Sequence, residues 1–422
     1  MKNFEAHTDE TRNAMLKELG AEKIEDIYSH IPQNIRLNGL NLPEPLSEMA
    51  LQKEIKALAV KNKSGYASFL GAGAYKRYIP AAVSAISSRF EFNTAYTPYQ
   101  PEISQGTLQI IYEYQSMICN LTGMEVSNAS VYDAATACAE AVLMASRINN
   151  RNKCLVSKGL NPQYLDVLKT YCEAADIKID YVELDGIKTP PIEVSEDYAC
   201  VLYQFPNFYG EIEDTQNIIA KDAKTLKICC ADILSLALLE PPVCDIMVGD
   251  IQSLGNSLSF GGAYGGFMAC SDKYKRQLPG RIIGRTVDAD GNQAFTLTLQ
   301  TREQHIRREK ATSNICSNQA LVALQATVYL TLLGKNGLKE AAFLSAKNAH
   351  LLAEKLSAKG VKVLNKDYFN EFVIEVGDSK SVLEKLKNNG ILGGFAIGEK
   401  RILVSATEMN TADEILRYAD CI

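Results

Sequence analysis

The sequence predicts an α/β protein in three parts: a large domain on a mostly parallel sheet, a helical arm before it and a small α+β domain after it. Three observations carry this prediction. Helical patterns alternate with short β-rich runs between residues 108 and 275, the first sixty residues are helical but broken by prolines, and the pattern changes again after residue 333. Alternation of that kind marks a parallel sheet covered by helices on both faces.

The arm, 1–65, has apolar residues at helical spacing: Met15, Leu16 and Leu19, then Ile24, Ile27, Tyr28 and Ile31. Pro32, Pro43 and Pro45 cut the pattern into short pieces that cannot bury their own apolar faces and should lie on something larger. In the large domain, 66–325, helices are predicted at 108–122 and 133–147, and strands at 153–156, 179–182, 198–203, 226–231 and 245–249. The small domain, 326–422, follows a helical stretch at 318–333. It reads as an amphipathic helix at 338–360, strands at 361–364, 371–376 and 401–404, and a helix at 379–388.

Composition narrows the function. At 422 residues the chain exceeds one compact core, and 46% hydrophobic with 22% charged residues is ordinary for a globular protein. A net charge of -6 supplies no basic field for nucleic acid. The N-terminus lacks the apolar run of a secretory signal, and the most apolar stretch, 228–239, is too short for a membrane span. Eleven cysteines without CxxC spacing fit reduced thiols in a cytoplasm, with Cys229 and Cys230 as small core residues. Four histidines, none between His30 and His305, argue against a histidine metal site or a Ser-His-Asp triad.

In open α/β sheets ligands bind beyond the C-terminal ends of strands. Three such ends stand out: Pro206-Asn207, Asp232, and a segment running to the Gly-rich turn Gly261-Gly262-Ala263-Tyr264-Gly265-Gly266. Pyridoxal-phosphate enzymes of the aspartate-aminotransferase fold (fold type I) show a Pro-Asn turn, a strand-end Asp and a lysine before a glycine turn in this order. Alone, Pro206-Asn207 reads as turn chemistry and Asp232 as a cap, but the ordered set favours an aspartate-aminotransferase-like fold for the large domain. The attachment group is missing: no lysine lies between Lys227 and Lys273, and Leu258 stands in the slot. Lys310, in a loop, is the remaining alternative. Asp133, at the N-cap of the predicted helix, puts a carboxylate where a phosphate would bind. This chain is therefore expected to hold no cofactor and no metal. Gly71-Ala72-Gly73-Ala74 reads as a backbone bend rather than a dinucleotide loop.

The stretch 92–106 carries Pro98, Pro101 and Gly106 among tyrosines and polar groups, and is read as an irregular loop lining a small polar substrate's pocket. Its candidate substrate-binding residues are Tyr96, Thr97, Tyr99, Gln100, Glu102 and Ser104. No catalytic residue is assigned. The mixed-charge run 301–314 reads as a solvated face or an interface edge.

Phe69-Leu70-Gly71-Ala72-Gly73, Tyr78-Ile79-Pro80, the stretch 94–106, Asn128-Ala129-Ser130, 204–214, 301–321 and Thr407-Glu408-Met409-Asn410-Thr411 together closely resemble subunit 1 of the split glycine cleavage P-protein, the N-terminal half of glycine dehydrogenase (decarboxylating). The resemblance implies a heterotetramer of two such subunits with two copies of subunit 2, which carries pyridoxal phosphate on its own lysine. It also implies glycine as substrate, lipoylated H-protein as a transient partner that receives the aminomethyl group, and a place for 94–106 at the shared active site. Asn93, Ala74, Lys76 and Arg77 depart from the family's usual string. The alternative reading is a scaffold or regulator on a dead fold; an autonomous pyridoxal-phosphate enzyme would need the lysine that is absent.

Overall fold

The computed structural model describes residues 7–37, 39–93 and 96–422. Its contacts divide the chain into two compact units, Met1–Ser64 and Gly65–Ile422.

The first unit is a set of short helices. Helix α1, Asp9–Glu18, is capped by Thr8, and α2, Glu48–Ala59, by Ser47, each side chain accepting from a first-turn amide. The prolines lie between the helices, as the sequence requires. Leu37, Met49 and Val60 are exposed.

The second unit is built on a seven-stranded sheet. Its strands are β1 (Val126–Ser127), β2 (Lys153–Ser157), β3 (Lys178–Val182), β4 (Cys200–Phe205), β5 (Leu226–Ala231), β6 (Ile246–Asp250) and β7 (Gly266–Cys270). Their order is β1-β7-β6-β5-β4-β2-β3. Strands β3, β2, β4, β5 and β6 run parallel, whereas β7 is antiparallel to β6 and to β1.

Strand side chains alternate between faces, so each central strand feeds two cores. Tyr203, Cys229 and Met247 face one core with Tyr114 and Ile118 of α3 (Pro101–Thr122). Leu202, Ile228, Cys230 and Val248 face the other, against the alanine-rich α4 (Ala134–Asn149) and α5 (Pro162–Ala174). Cys229 and Cys230 are thus core residues on opposite faces, and all cysteines are free. Gly266 of β7 lets the strand lie close to the start of α4: a Cβ there would come within 2.3 Å of the Asp133 carbonyl oxygen.

A hairpin of β8 (Ile282–Val287) and β9 (Gln293–Thr298) packs on α3. Helix α6, Ala320–Ala358, leaves the large sheet and reaches a smaller antiparallel sheet of order β10-β11-β13-β12. Those strands are β10 (Lys362–Val363), β11 (Glu371–Glu375), β12 (Phe395–Ala396) and β13 (Arg401–Ser405), with helices α7 (Ser379–Asn388) and α8 (Ala412–Cys421) packed on the sheet. The division at 325/326 falls inside α6. That helix breaks at Gly334, whose φ of 58° and ψ of -172° lie in a region essentially reserved for glycine.

The stretch 92–106 is less irregular than the sequence indicates. Phe90–Asn93 is a short helix, and Pro101 opens α3 rather than forbidding it. Proline suits the first helical position, where its fixed φ fits and its missing N–H costs nothing. Glu102 and Ser104 therefore sit on helical turns; Ser104, at φ -123° and ψ 17°, marks a kink. Thr94 and Ala95 lie outside the described residues.

Candidate functional site

The C-terminal ends of β4, β5 and β6 meet the start of α4 in a cleft with about 40 Å³ of free space. Tyr75, Tyr164, Gln204, Asp232, Asp250 and Gln252 line it. The segment 71–75 straps across. Tyr75 N donates to Gln252 Oε1 at 2.9 Å, and Gln252 Nε2 donates back to the Tyr75 carbonyl at 2.9 Å. Glu371, from β11, accepts from the Ala72 amide at 2.6 Å and from the Tyr75 hydroxyl at 3.0 Å. A Cβ on Gly71 would fall 2.1 Å from Glu371 Oε1, and Gly73 has φ of +103°. The Gly71–Ala74 stretch is thus a bend, folded around a carboxylate.

The cleft gathers acids. Glu371 is 5% exposed, and burial raises its carboxyl to about 7. Burial likewise pushes Asp250 up to about 7, against the lowering effect of the Gln252 amide that it accepts at 2.7 Å. Asp232 Oδ1 accepts from the Leu234 and Ser235 amides at 2.9 and 3.3 Å, holding the turn after β5. Asp133 Oδ1 accepts from Thr136 N at 2.7 Å and caps α4. Asn207 is consumed structurally: it donates to the Ile187 carbonyl and Glu213 and accepts from the Tyr209 and Glu211 amides. Asp232 and Asn207 take the structural roles their residue types have alone.

These residues do not fit pyridoxal phosphate. No lysine lines the cleft, the acids Asp232 and Asp250 line it beside the helix start that Asp133 already caps, and Tyr75 and Tyr164 form part of its walls. Leu258 is 38% exposed, and Lys310 is exposed in a turn away from the lining residues. Among the described residues no His, Cys, Asp and Glu group is placed to hold a metal ion.

The second candidate region surrounds residues 96–104. Tyr96, 88% exposed, lines a separate cavity with Phe92 and Pro98. Thr97 Oγ1 accepts from Arg281 Nη2 at 2.9 Å. The Tyr99 ring meets His305 edge-on, with centroids 5.3 Å apart. Gln100, the N-cap residue of α3, makes no side-chain capping bond, and both it and Glu102 are exposed. Ser104 is half-buried. Gln105 clamps α3 to the hairpin, its amide exchanging two 2.9 Å bonds with the Phe295 backbone. Tyr96 therefore lines the cavity, Thr97 reaches it only through its bond to Arg281, and Tyr99 contacts the 301–314 run, whereas Gln100, Glu102 and Ser104 do not line that cavity. Arg281, His305 and Asn318 were not singled out by sequence. His305 lies within the mixed-charge run, and nothing local distinguishes Arg281 from any other strand-edge arginine.

Buried Arg77 joins the strap to the C-terminal part of this unit. Its Nη1 donates to Glu408 Oε2 at 3.0 Å and to Ser345 Oγ at 2.7 Å. No helix among the described residues is long and apolar enough to cross a membrane.

Comparison with known proteins agrees with this architecture. The family model for the glycine cleavage system P-protein matches residues 2–421. A Geobacillus kaustophilus protein named as a probable glycine dehydrogenase (decarboxylating) subunit 1 is 45% identical over 433 residues, covering 98% of this chain and 97% of that one. The crystal structure of a glycine decarboxylase (P-protein) of the glycine cleavage system, in inhibitor-bound form, superposes with a TM-score of 0.93 at 43% identity, covering 99% of each chain. A Thermus thermophilus aspartate aminotransferase, at 14% identity and a TM-score of 0.56 over 84% of this chain and 97% of its own, shares the fold alone. Over residues 2–421, this chain belongs to the glycine cleavage system P-protein family.

Proposed function

We propose that this chain is the subunit of a glycine cleavage P-protein that does not itself carry the cofactor. With a partner subunit that holds pyridoxal phosphate, it decarboxylates glycine and passes the aminomethyl group to the lipoyl arm of an H-protein. The assembly is a heterotetramer of two such subunits and two partners, and it works in the cytoplasm. The observation that carries this reading is the near full-length similarity to a protein named as subunit 1 of glycine dehydrogenase.

The division of labour is supported by the acid-lined cleft, which lacks both an amine and room for the cofactor. A partner is supported by exposed Leu37, Met49 and Val60 in the arm, since a stable interface is core-like. The role left to this chain is to bind and orient glycine and to keep water from the reacting carbon, with Tyr96, Thr97, Tyr99, Gln100, Glu102 and Ser104 near the shared site. The test is glycine-dependent exchange of bicarbonate. The two subunits mixed with lipoylated H-protein should exchange, and each subunit alone should not. Exchange by this chain alone, or none by the mixture, would sink the reading.

A further inference from the structure

The cavity beside Tyr96 holds about 50 Å³ and lies between Phe92, Pro98 and the start of α6. Its walls are largely apolar, yet two sources of positive potential face it. Arg281 lines it and is 7% exposed. Nη1 donates to Asn318 Oδ1 at 3.0 Å, and Nη2 to Thr97 Oγ1 at 2.9 Å and the Cys316 carbonyl at 3.0 Å. None of these acceptors is a carboxylate, and buried Nε has no partner among the described residues. A guanidinium is a cation with five N–H donors, and burying it without a counter-ion is costly. The structure keeps it there.

The second source is α6. Ala320 and Leu321, its first two residues, line the cavity, the N-cap Gln319 makes no side-chain capping bond, and the first turn holds no acid. The leading N–H groups and the helix dipole are therefore left for an anion. Asn318 is held by its own bonds to the Ala129 carbonyl (2.8 Å) and Ser130 Oγ (3.3 Å), so its orienting contact to Arg281 is fixed beforehand.

We propose that this cavity is a carboxylate subsite, in which the Arg281 guanidinium and the first N–H groups of α6 receive the carboxylate of glycine. The proposal rests on the functional reading above. The cavity admits a group of carboxylate size, Arg281 keeps its Nε–H and one Nη1–H free of the protein acceptors named, and apolar walls strengthen the attraction by excluding water. The contact acts on binding rather than on the bond that breaks. A carboxylate leaving as CO2 loses its charge, so Arg281 holds the ground state at least as firmly as the transition state. It is a specificity residue, felt in KM.

Two measurements test this. The full chain, labelled with 15N-arginine, is titrated with acetate while the Arg281 Nε–H resonance, assigned through Arg281→Lys, is followed by NMR. The complex with the partner subunit is then assayed for glycine KM and kcat as wild type, Arg281→Lys and Leu321→Asp. Leu321→Asp places a competing carboxylate where the helix dipole tolerates one, and so perturbs the subsite without emptying it. A saturable acetate shift is expected, with glycine KM raised roughly tenfold or more in both variants and kcat within about threefold. The proposal is overturned if acetate leaves the resonance unmoved, if inorganic phosphate moves it and acetate does not, or if both variants keep KM within about twofold. A wild-type complex without exchange activity would refute the functional reading, and the acetate titration would still judge the subsite.

Discussion

Replacing Glu371 by Gln should change how stability depends on pH, because this carboxyl is held neutral by burial. Its ordinary value of 4.5 is raised to about 7 in the fold. Between those values the unfolded chain has released the proton while the folded chain keeps it. The folded state then binds more protons, so stability falls as pH rises through this window and levels off above about 7. The full difference corresponds to on the order of 3 kcal/mol, a sizeable share of a typical stability of about 5–15 kcal/mol. Glutamine retains a carbonyl for the Ala72 amide and offers an N–H to the Tyr75 hydroxyl, so packing is kept while the ionisation is removed. The assay is urea unfolding of both proteins at pH 5 and pH 7.5. Wild type should lose about 2–3 kcal/mol relative to Glu371→Gln across that interval. Parallel pH profiles for the two would refute the claim that Glu371 is a buried neutral acid.

Other outcomes follow from neighbouring features. Glu408→Ala strands buried Arg77 without its partner and should cost about 3–5 kcal/mol in unfolding free energy, with Arg77→Met less damaging because it removes the charge as well. Incubation of the purified chain with pyridoxal phosphate and borohydride should trap no stoichiometric lysine adduct by mass spectrometry; one adduct per chain would overturn the cofactor-free reading of the cleft. In the reconstituted complex, Tyr99→Phe or Gln100→Ala should lower bicarbonate exchange by roughly ten- to a thousandfold with assembly intact. Rates within about twofold of wild type would return 96–104 to a structural turn. Addition of the partner subunit should raise the sedimentation coefficient of this chain, and an unchanged value would remove the heteromer.

The central sheet was legible because its strands are short, β-rich and separated by helical patterns, so 153–156 and 226–231 fall on β2 and β5. The gap left between the helices predicted at 318–333 and 338–360 contains the break at Gly334, whereas the domain division at 325/326 does not. The hairpin Ile282–Val287 and Gln293–Thr298 went unread, although Asp290-Gly291 between alternating strands is its signal. The start of α3 was misplaced because proline breaks helix interiors but suits their first turn. The Arg281 cavity had no local signature. It exists because Thr97, Arg281 and Asn318, remote in sequence, converge through α3, the hairpin and α6.

Gly334 has a mechanical meaning for the cleft. On one side of it α6 is fixed to the large sheet through Ala326 and Tyr329; on the other it is fixed to the C-terminal lobe through Leu352 and Leu356. That lobe delivers Glu371 to the strap at Ala72 and Tyr75. A rotation of a few degrees at Gly334 is multiplied along roughly six to seven turns of rigid helix, at about 5.4 Å per turn, before it reaches the end of α6. The angles at Gly334 therefore fix the direction in which α6 continues to the lobe that carries Glu371. A side chain at 334 would strain those angles, and with them the path from the large sheet to that lobe.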